Sequence, residues 1–251
     1  MEAIELFYPD ILASVGDYIF DKGIEIEVYS SNKSYFDWAK IRFTEEFQNK
    51  ISIDKKAKSK IMLGYNGVFN EVFEGYVSKP YNNGGCANEI LLKDDMILLE
   101  NTFITNTFID ATPQEILTFC LTKAGVENFR LSNKSYQAKK IIPVFKKNVI
   151  DVINMIHSLW KISIEFFFSE GIFYWGEKPA QSKAYSFEYG VNIISLSRSN
   201  ATWELETVSV PFIKHSHIIN VTHPQISGSF EVKKITFVTN ETGFIRTLIY
   251  F

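Results

Sequence analysis

Five groups of residues have the types and spacing to support chemistry. His215 and His217 stand two apart, as on one face of a strand, and His223 follows closely. Zinc hydrolases use such imidazole pairs together with a third ligand and an open coordination position. Between Glu206 and Glu231 the chain has no Asp or Glu, and Pro224 follows His223 directly. The pair therefore reads as surface or interface histidines, and no metal site is expected. Glu204 and Glu206 share a strand face, but a glycosidase acid and nucleophile must flank the scissile bond from two sides. They read as a solvated face. Ser169-Glu170-Gly171 is a turn and not a nucleophile elbow. Gly84-Gly85 lacks the lysine and the strand–loop–helix setting of a phosphate loop. Cys86 and Cys120 have no C-x-x-C spacing and read as buried free thiols. No catalytic, cofactor-binding or metal-ligating residue is assigned, no cofactor is expected, and the chain does not read as an enzyme.

Composition narrows the class further. Hydrophobic residues make up 46% of 251, enough for a sizeable core, and 22 Phe with 12 Tyr favour β-rich packing over a helical bundle. A net charge of −3 argues against nucleic-acid recognition. Glu2, Glu5, Asp10 and Asp17 occupy the N-terminus where a secretory signal would be basic and then apolar. No stretch approaches the roughly 18 apolar residues of a membrane span. Synthesis and folding in the cytoplasm are expected.

The elements that would position these residues fall into three blocks. Residues 110–176 differ from everything around them. Thr112-Pro113-Gln114-Glu115 reads as a helix start with Thr112 as cap and Glu115 completing a capping box. Ile116, Leu117, Cys120, Leu121 and Ala124 form its apolar stripe, and Gly125 stops it. Asn148 caps a second helix, with Asp151 in its first turn. Residues 162–168 and 172–175 read as two strands around the turn at Ser169-Glu170-Gly171. Residues 1–109 are strand and turn throughout, and their clearest signal is a hairpin around Asn66-Gly67, the preferred centre of a type I′ turn. Gly75, Gly228 and Gly243 are further turn positions. Residues 177–251 repeat the style, with a final hairpin around residues 239–243. In its first arm the apolar parity shifts at Lys233-Lys234, which predicts a β-bulge. The division is thus 1–109, a β-barrel; 110–176, an α+β insert; and 177–251, a second β-barrel.

The run DWAKIRF at 37–43, KIMLGY at 60–65 and VFNEVFEGYV at 68–77 resembles the first barrel of phage baseplate hub proteins. DATPQEIL at 110–117, Ala124-Gly125 and NVIDVI at 148–153 resemble the middle module of the same proteins. THP at 222–224, GSFEV at 228–232 and ITF at 235–237 resemble their last barrel. The likeness follows one order along nearly the whole chain. It points to the baseplate hub (tail hub, late control D-like) family of contractile phage tails and phage tail-like particles. The resemblance implies a mainly β fold with an α+β insert, two small tube-protein-like β-barrels flanking a compact helix-containing module. It implies a trimeric ring of six barrels that joins a sixfold tail tube to a threefold central spike. The implied partners are other copies of the chain, the tube and spike proteins, and tape-measure and baseplate wedge proteins. The implied location is the tail baseplate of a virion or released tail-like particle. Residues 141–175 look like a LysM-type module in relatives, read here as a structural insert with Phe166–Phe168 and Trp175 as core. Two alternatives from other classes stand beside this. One is a tail-associated protein that binds or hydrolyses cell-wall glycan, and the other is a metal-dependent hydrolase using His215 and His217.

Overall fold

A computed structural model describes residues 9–44, 47, 51–79, 89–240 and 245–251. Gly84, Gly85, Cys86 and Gly243 lie outside the described residues. Seven strands open the chain: β1 (Pro9–Val15), β2 (Tyr18–Phe20), β3 (Ile24–Ser31), β4 (Trp38–Phe43), β5 (Lys58–Tyr65), β6 (Val68–Lys79) and β7 (Glu89–Lys93). Then come α1 (Met96–Asn101), β8 (Phe103–Ala111), α2 (Pro113–Lys123), β9 (Phe129–Leu131), β10 (Lys139–Asn148), α3 (Val149–Trp160), β11 (Phe166–Ser169) and β12 (Ile172–Trp175). The chain returns to strand in β13 (Tyr185–Glu188), β14 (Ser195–Ser199), β15 (Thr202–Val208), β16 (Ile218–His223), β17 (Ile226–Glu231), β18 (Lys234–Thr239) and β19 (Ile245–Tyr250). The fold is mainly β with an α+β insert.

The two flanking β parts belong to one compact unit, Met1–Asp94 with Pro179–Phe251, and the insert, Asp95–Lys178, is the other. An eleven-stranded sheet runs β14-β15-β19-β18-β3-β4-β7-β6-β5-β1-β2, and β13-β16-β17 form a smaller one. The join is antiparallel pairing of β3 with β18, with Tyr29 opposite Thr236. Alternation then carries Ile24, Ile26 and Val28 of β3 inward and Glu25 and Glu27 outward. Ile26, Ile41, Leu63 and Leu92 share one buried apolar cluster with Leu205, Ile219, Ile235 and Ile249. By contacts the chain divides at 94/95 and 178/179, not at 109/110 and 176/177. The earlier boundary moves because β8 pairs with β10 inside the insert.

Asn66 (φ 52°) and Gly67 (φ 76°) make the expected two-residue turn, with Tyr65 opposite Val68. Gly75 and Gly228 are not turns. Gly75 lies inside β6, where a Cβ would meet the Lys93 carbonyl oxygen at 2.1 Å, so the residue permits close backbone approach. Gly228 lies inside β17 with a φ of 152°, a strand geometry that L side chains rarely adopt. The expected bulge at Lys233-Lys234 is instead a change of sheet. β17 pairs with β16, whereas β18 pairs with β19 and β3. The parity shift therefore reflects two strands with different inner faces.

Within the insert both helix starts form as the residues dictate. Thr112 Oγ1 accepts from Glu115 N, and Glu115 Oε2 accepts from Thr112 N at 2.8 Å. Asn148 Oδ1 accepts from Asp151 N at 2.8 Å. Helix α2 buries Ile116, Leu117, Cys120 and Leu121, and α3 buries Val149, Val152, Ile153 and Ile156. Burial pushes the Cys120 thiol up to about 12. β11 and β12 pair around Glu170 and Gly171, both at positive φ, and β12 pairs in parallel with β9. Trp175 is fully buried at the end of β12.

Candidate functional site

His215 and His217 are neither on a strand nor on the surface. They flank Ser216, which has a φ of 65° in the turn before β16, and they are 1% and 9% exposed. Ser216 N donates to Val232 O at 2.7 Å, and Val232 N donates to His217 O at 2.8 Å. Those bonds pin the turn against the segment where the chain changes sheets, which is why the imidazoles are enclosed. His217 Nδ1 accepts from Lys214 N at 3.2 Å. His223 ends β16, where its Nδ1 accepts from Gln225 N at 3.2 Å and its ring packs on Tyr189.

A partner for His215 comes from the far end of the chain. Its Nε2 lies 3.9 Å from Oδ2 of Asp37, and its Nδ1 lies 3.1 Å from Ser216 Oγ. Asp37 sits between β3 and β4. Ser30 Oγ donates to its Oδ2 at 2.5 Å and Ser31 N to its Oδ1 at 2.9 Å. Burial pushes the Asp37 carboxyl up to about 7, against the lowering effect of those two bonds. Next to it, Asn32 N donates to Lys233 O at 3.3 Å and Asn32 Nδ2 to Ser216 Oγ at 3.4 Å. The buried Asn32 Oδ1 has no hydrogen-bond partner among the described residues.

Asp37, His215 and Ser216 are the residue types of a hydrolytic triad, but the arrangement is not one. A nucleophilic serine must meet a substrate carbonyl at a surface, and a triad carboxylate must bond the imidazole directly. Ser216 is 6% exposed, and 3.9 Å exceeds hydrogen-bond reach. Chemically the cluster can hold a proton and tie the first β part to the last, so it is a structural seam. Among the described residues no group of three His, Cys, Asp or Glu is placed to hold a metal.

Glu204 and Glu206 do share the outer face of β15, yet neither is simply solvated. Glu206 accepts from Arg246 Nη1 at 2.6 Å and from Ser195 Oγ at 2.9 Å. Glu204 adjoins Tyr250, whose hydroxyl is pushed up to about 12 by burial and by the bond to Glu204. Lys234 Nζ lies 3.4 Å from the centre of the Tyr250 ring. An open hollow of about 380 Å³ in the insert is lined by Ile164, Glu165, Phe167, Glu177 and Lys178 among others. Phe167 on its wall is buried, as is Trp175 elsewhere in the insert, so neither offers an exposed ring to a sugar. No described helix is long and apolar enough to cross a membrane.

Sequence reasoning missed Asp37 and Asn32. Their partners lie at the other end of the chain, Asn32 and Ser216 being 184 residues apart, and no local spacing encodes that approach.

By sequence, no family model and no curated protein matches the chain. By structure, the chain is similar to a 43 kDa tail protein of prophage MuSo2 from Shewanella oneidensis, with a TM-score of 0.70 at 11% identity over 96% of this chain and 97% of that one. It is similar to a tail protein from Neisseria meningitidis MC58, with a TM-score of 0.71 at 9% identity over 97% and 96%. A third likeness is to an E. coli component of the type VI secretion system that is structurally similar to the T4 bacteriophage tail proteins gp27 and gp5. There the TM-score is 0.68 at 12% identity, over 95% of this chain and 73% of that one. At these identities the shared property is the fold, which is that of phage-tail proteins.

Proposed function

We propose that the chain is a structural baseplate hub protein of a contractile tail or tail-like injection particle. In this reading its two flanking β parts serve as two tube-protein-like barrels, joined edge to edge through β3 and β18. Three copies form a ring of six barrels between the sixfold tail tube and the threefold central spike. The observation that carries the reading is the extent of the fold likeness. Two tail proteins align over nearly their whole length and nearly the whole of this chain. The order of the residue runs at 37–77, 110–153 and 222–237 supports the same assignment independently.

The role is mechanical and not catalytic. The seam of Asp37, His215 and Asn32 binds the two β parts together, with His215 and Asn32 enclosed and Asp37 partly buried beside them. The insert acts as a structural module, supported by the burial of Phe167, Phe168 and Trp175 where a glycan-binding face would present them. The protein is made in the bacterial cytoplasm and joins the tube, spike, tape-measure and wedge proteins in the baseplate.

Native mass spectrometry of the chain co-expressed with the central spike protein tests this. Complexes with three copies of the chain per spike trimer are expected. A chain that never reaches three copies, even with spike and tube present, removes the assignment.

A further inference from the structure

The two-stranded ribbon of β8 and β10 turns one face toward α2 and α3 through Ile104, Phe108, Ile142 and Val144, all buried. Its other face is apolar and exposed. Ile109 and Ile141 stand directly opposite one another and are each 70% exposed, as is Phe145. Folded chains rarely leave such a contiguous apolar face in water. Its border is basic. Lys139, Lys140, Lys146 and Lys147 flank it in β10, and Asp110 is the one carboxylate in the two strands.

A second exposed apolar group lies on the other compact unit, in the loop between β13 and β14. Tyr189 is 62% exposed, Val191 75% and Ile194 50%. Between Lys183 and Arg198 this stretch has no Lys or Arg and a single acid, the exposed Glu188. The insert carries nine Asp and Glu against nine Lys and Arg, so the chain's net −3 resides on the unit that bears this loop.

We infer that the ribbon face around Ile109, Ile141 and Phe145 docks onto the 188–194 loop of a second copy of this chain. Ribbon against ribbon would oppose four lysines with four, so a twofold self-contact is disfavoured. The counter-surface must be apolar and free of cations, and the loop meets both conditions. An anionic membrane would suit the ribbon but would repel Glu188, leaving the second patch without a partner. Because the two patches differ, the contact is head to tail, the type of contact that a closed ring of copies requires. This rests on the ring reading above and names the surfaces that build it.

Size-exclusion light scattering and native mass spectrometry of Ile141→Asp and Val191→Asp test the contact, with melting temperature as the control for folding. Wild type at its highest soluble concentration is expected to populate trimer. Either substitution is expected to weaken association by more than about tenfold, the effect of burying a charge in such a contact. An equimolar mixture of the two variants has one intact ribbon and one intact loop, so it is expected to stop at dimer. A short bis-maleimide should also link Ile141→Cys to Val191→Cys across chains, in a Cys86→Ser, Cys120→Ala background. Trimers that survive both substitutions overturn this contact while leaving the ring intact. A mixture that shows neither dimer nor cross-link overturns the head-to-tail pairing. A wild type that stays monomeric even with spike protein overturns both readings. Wild-type binding to phosphatidylserine vesicles that Ile141→Asp abolishes would reassign the ribbon to lipid.

Discussion

Trp175 Nε1 donates a 2.8 Å hydrogen bond to Nε2 of His157, joining the end of β12 to the last turn of α3 inside the insert. The acceptor nitrogen must carry no proton, so His157 is neutral with its proton on Nδ1. Its ring also packs against Phe166 and Trp175, and burial lowers its pKa. A histidine whose folded pKa is depressed stabilises the fold above its unfolded value of about 6.5. That contribution disappears as pH falls through the folded value. The insert should therefore weaken as the pH falls below about 6.5. The Trp175 indole proton in NMR reports it directly. A His157→Gln variant, which can still accept the bond but cannot titrate, should flatten the response. An indole signal that is insensitive to pH across that range would refute the assignment.

Asp37 gives the opposite slope. Its carboxyl is raised to about 7, so the folded state holds a proton that the unfolded chain, with an Asp pKa of about 3.9, releases. Its stabilising contribution is full below about pH 4 and is lost as pH rises through about 7. Asp37→Asn keeps a neutral group in the same place and should remove this slope. Urea denaturation at several pH values reads the difference. Parallel pH profiles for wild type and Asp37→Asn would show that the carboxyl is not held protonated.

The capping box at Thr112 has a smaller and local effect. Thr112→Ala removes the side-chain oxygen that satisfies Glu115 N and the hydroxyl that donates to Glu115 Oε2 at 2.8 Å. A loss of about 1 kcal/mol is expected, with most of it restored in Thr112→Ser. Denaturation midpoints measure it. Equal midpoints for wild type and Thr112→Ala would mean that the helix start is set by tertiary packing alone.

What was legible in the sequence was local. Thr112, Glu115 and Asn148 act within three residues of themselves, and Asn66-Gly67 needs only its own backbone geometry. The strand character of β3, β5 and β6 and the stripes of α2 and α3 follow from periodicity. The sheet join at β3 and β18 was not legible, because a strand's pattern specifies which face is buried but not which partner lies beside it. The same limit hid the seam. His215 looked like a surface residue because its sequence neighbours supply no carboxylate, whereas Asp37 arrives through long-range pairing. Gly75 shows a subtler failure. A glycine signals either a turn or a close approach, and only the position of β7 decides between them.

That distinction yields the sharpest mutational contrast. At Gly75 an added Cβ would lie 2.1 Å from Lys93 O, 2.7 Å from Lys93 C and 2.9 Å from Asp94 Cα. All three atoms are backbone, so no side chain can swing aside. Relief would require separating β6 from β7 where Tyr76 opposes Lys93 and the register shifts two residues later. At Gly67 an added Cβ meets no atom of the described residues within 4 Å, and the penalty is that of a φ of 76°. Gly67→Ala should therefore cost about 1 kcal/mol, the usual strain of an L residue in the left-handed region. Gly75→Ala should cost about 3 kcal/mol, the upper end for overpacking in a closely packed interior. Urea denaturation of both variants, with hydrogen exchange read along β6 and β7, measures the two costs and locates the second. Amides of β7 should lose protection in Gly75→Ala and keep it in Gly67→Ala. If Gly75→Ala is no less stable than Gly67→Ala, the two backbones do not approach as described, and Gly75 has some other role in β6.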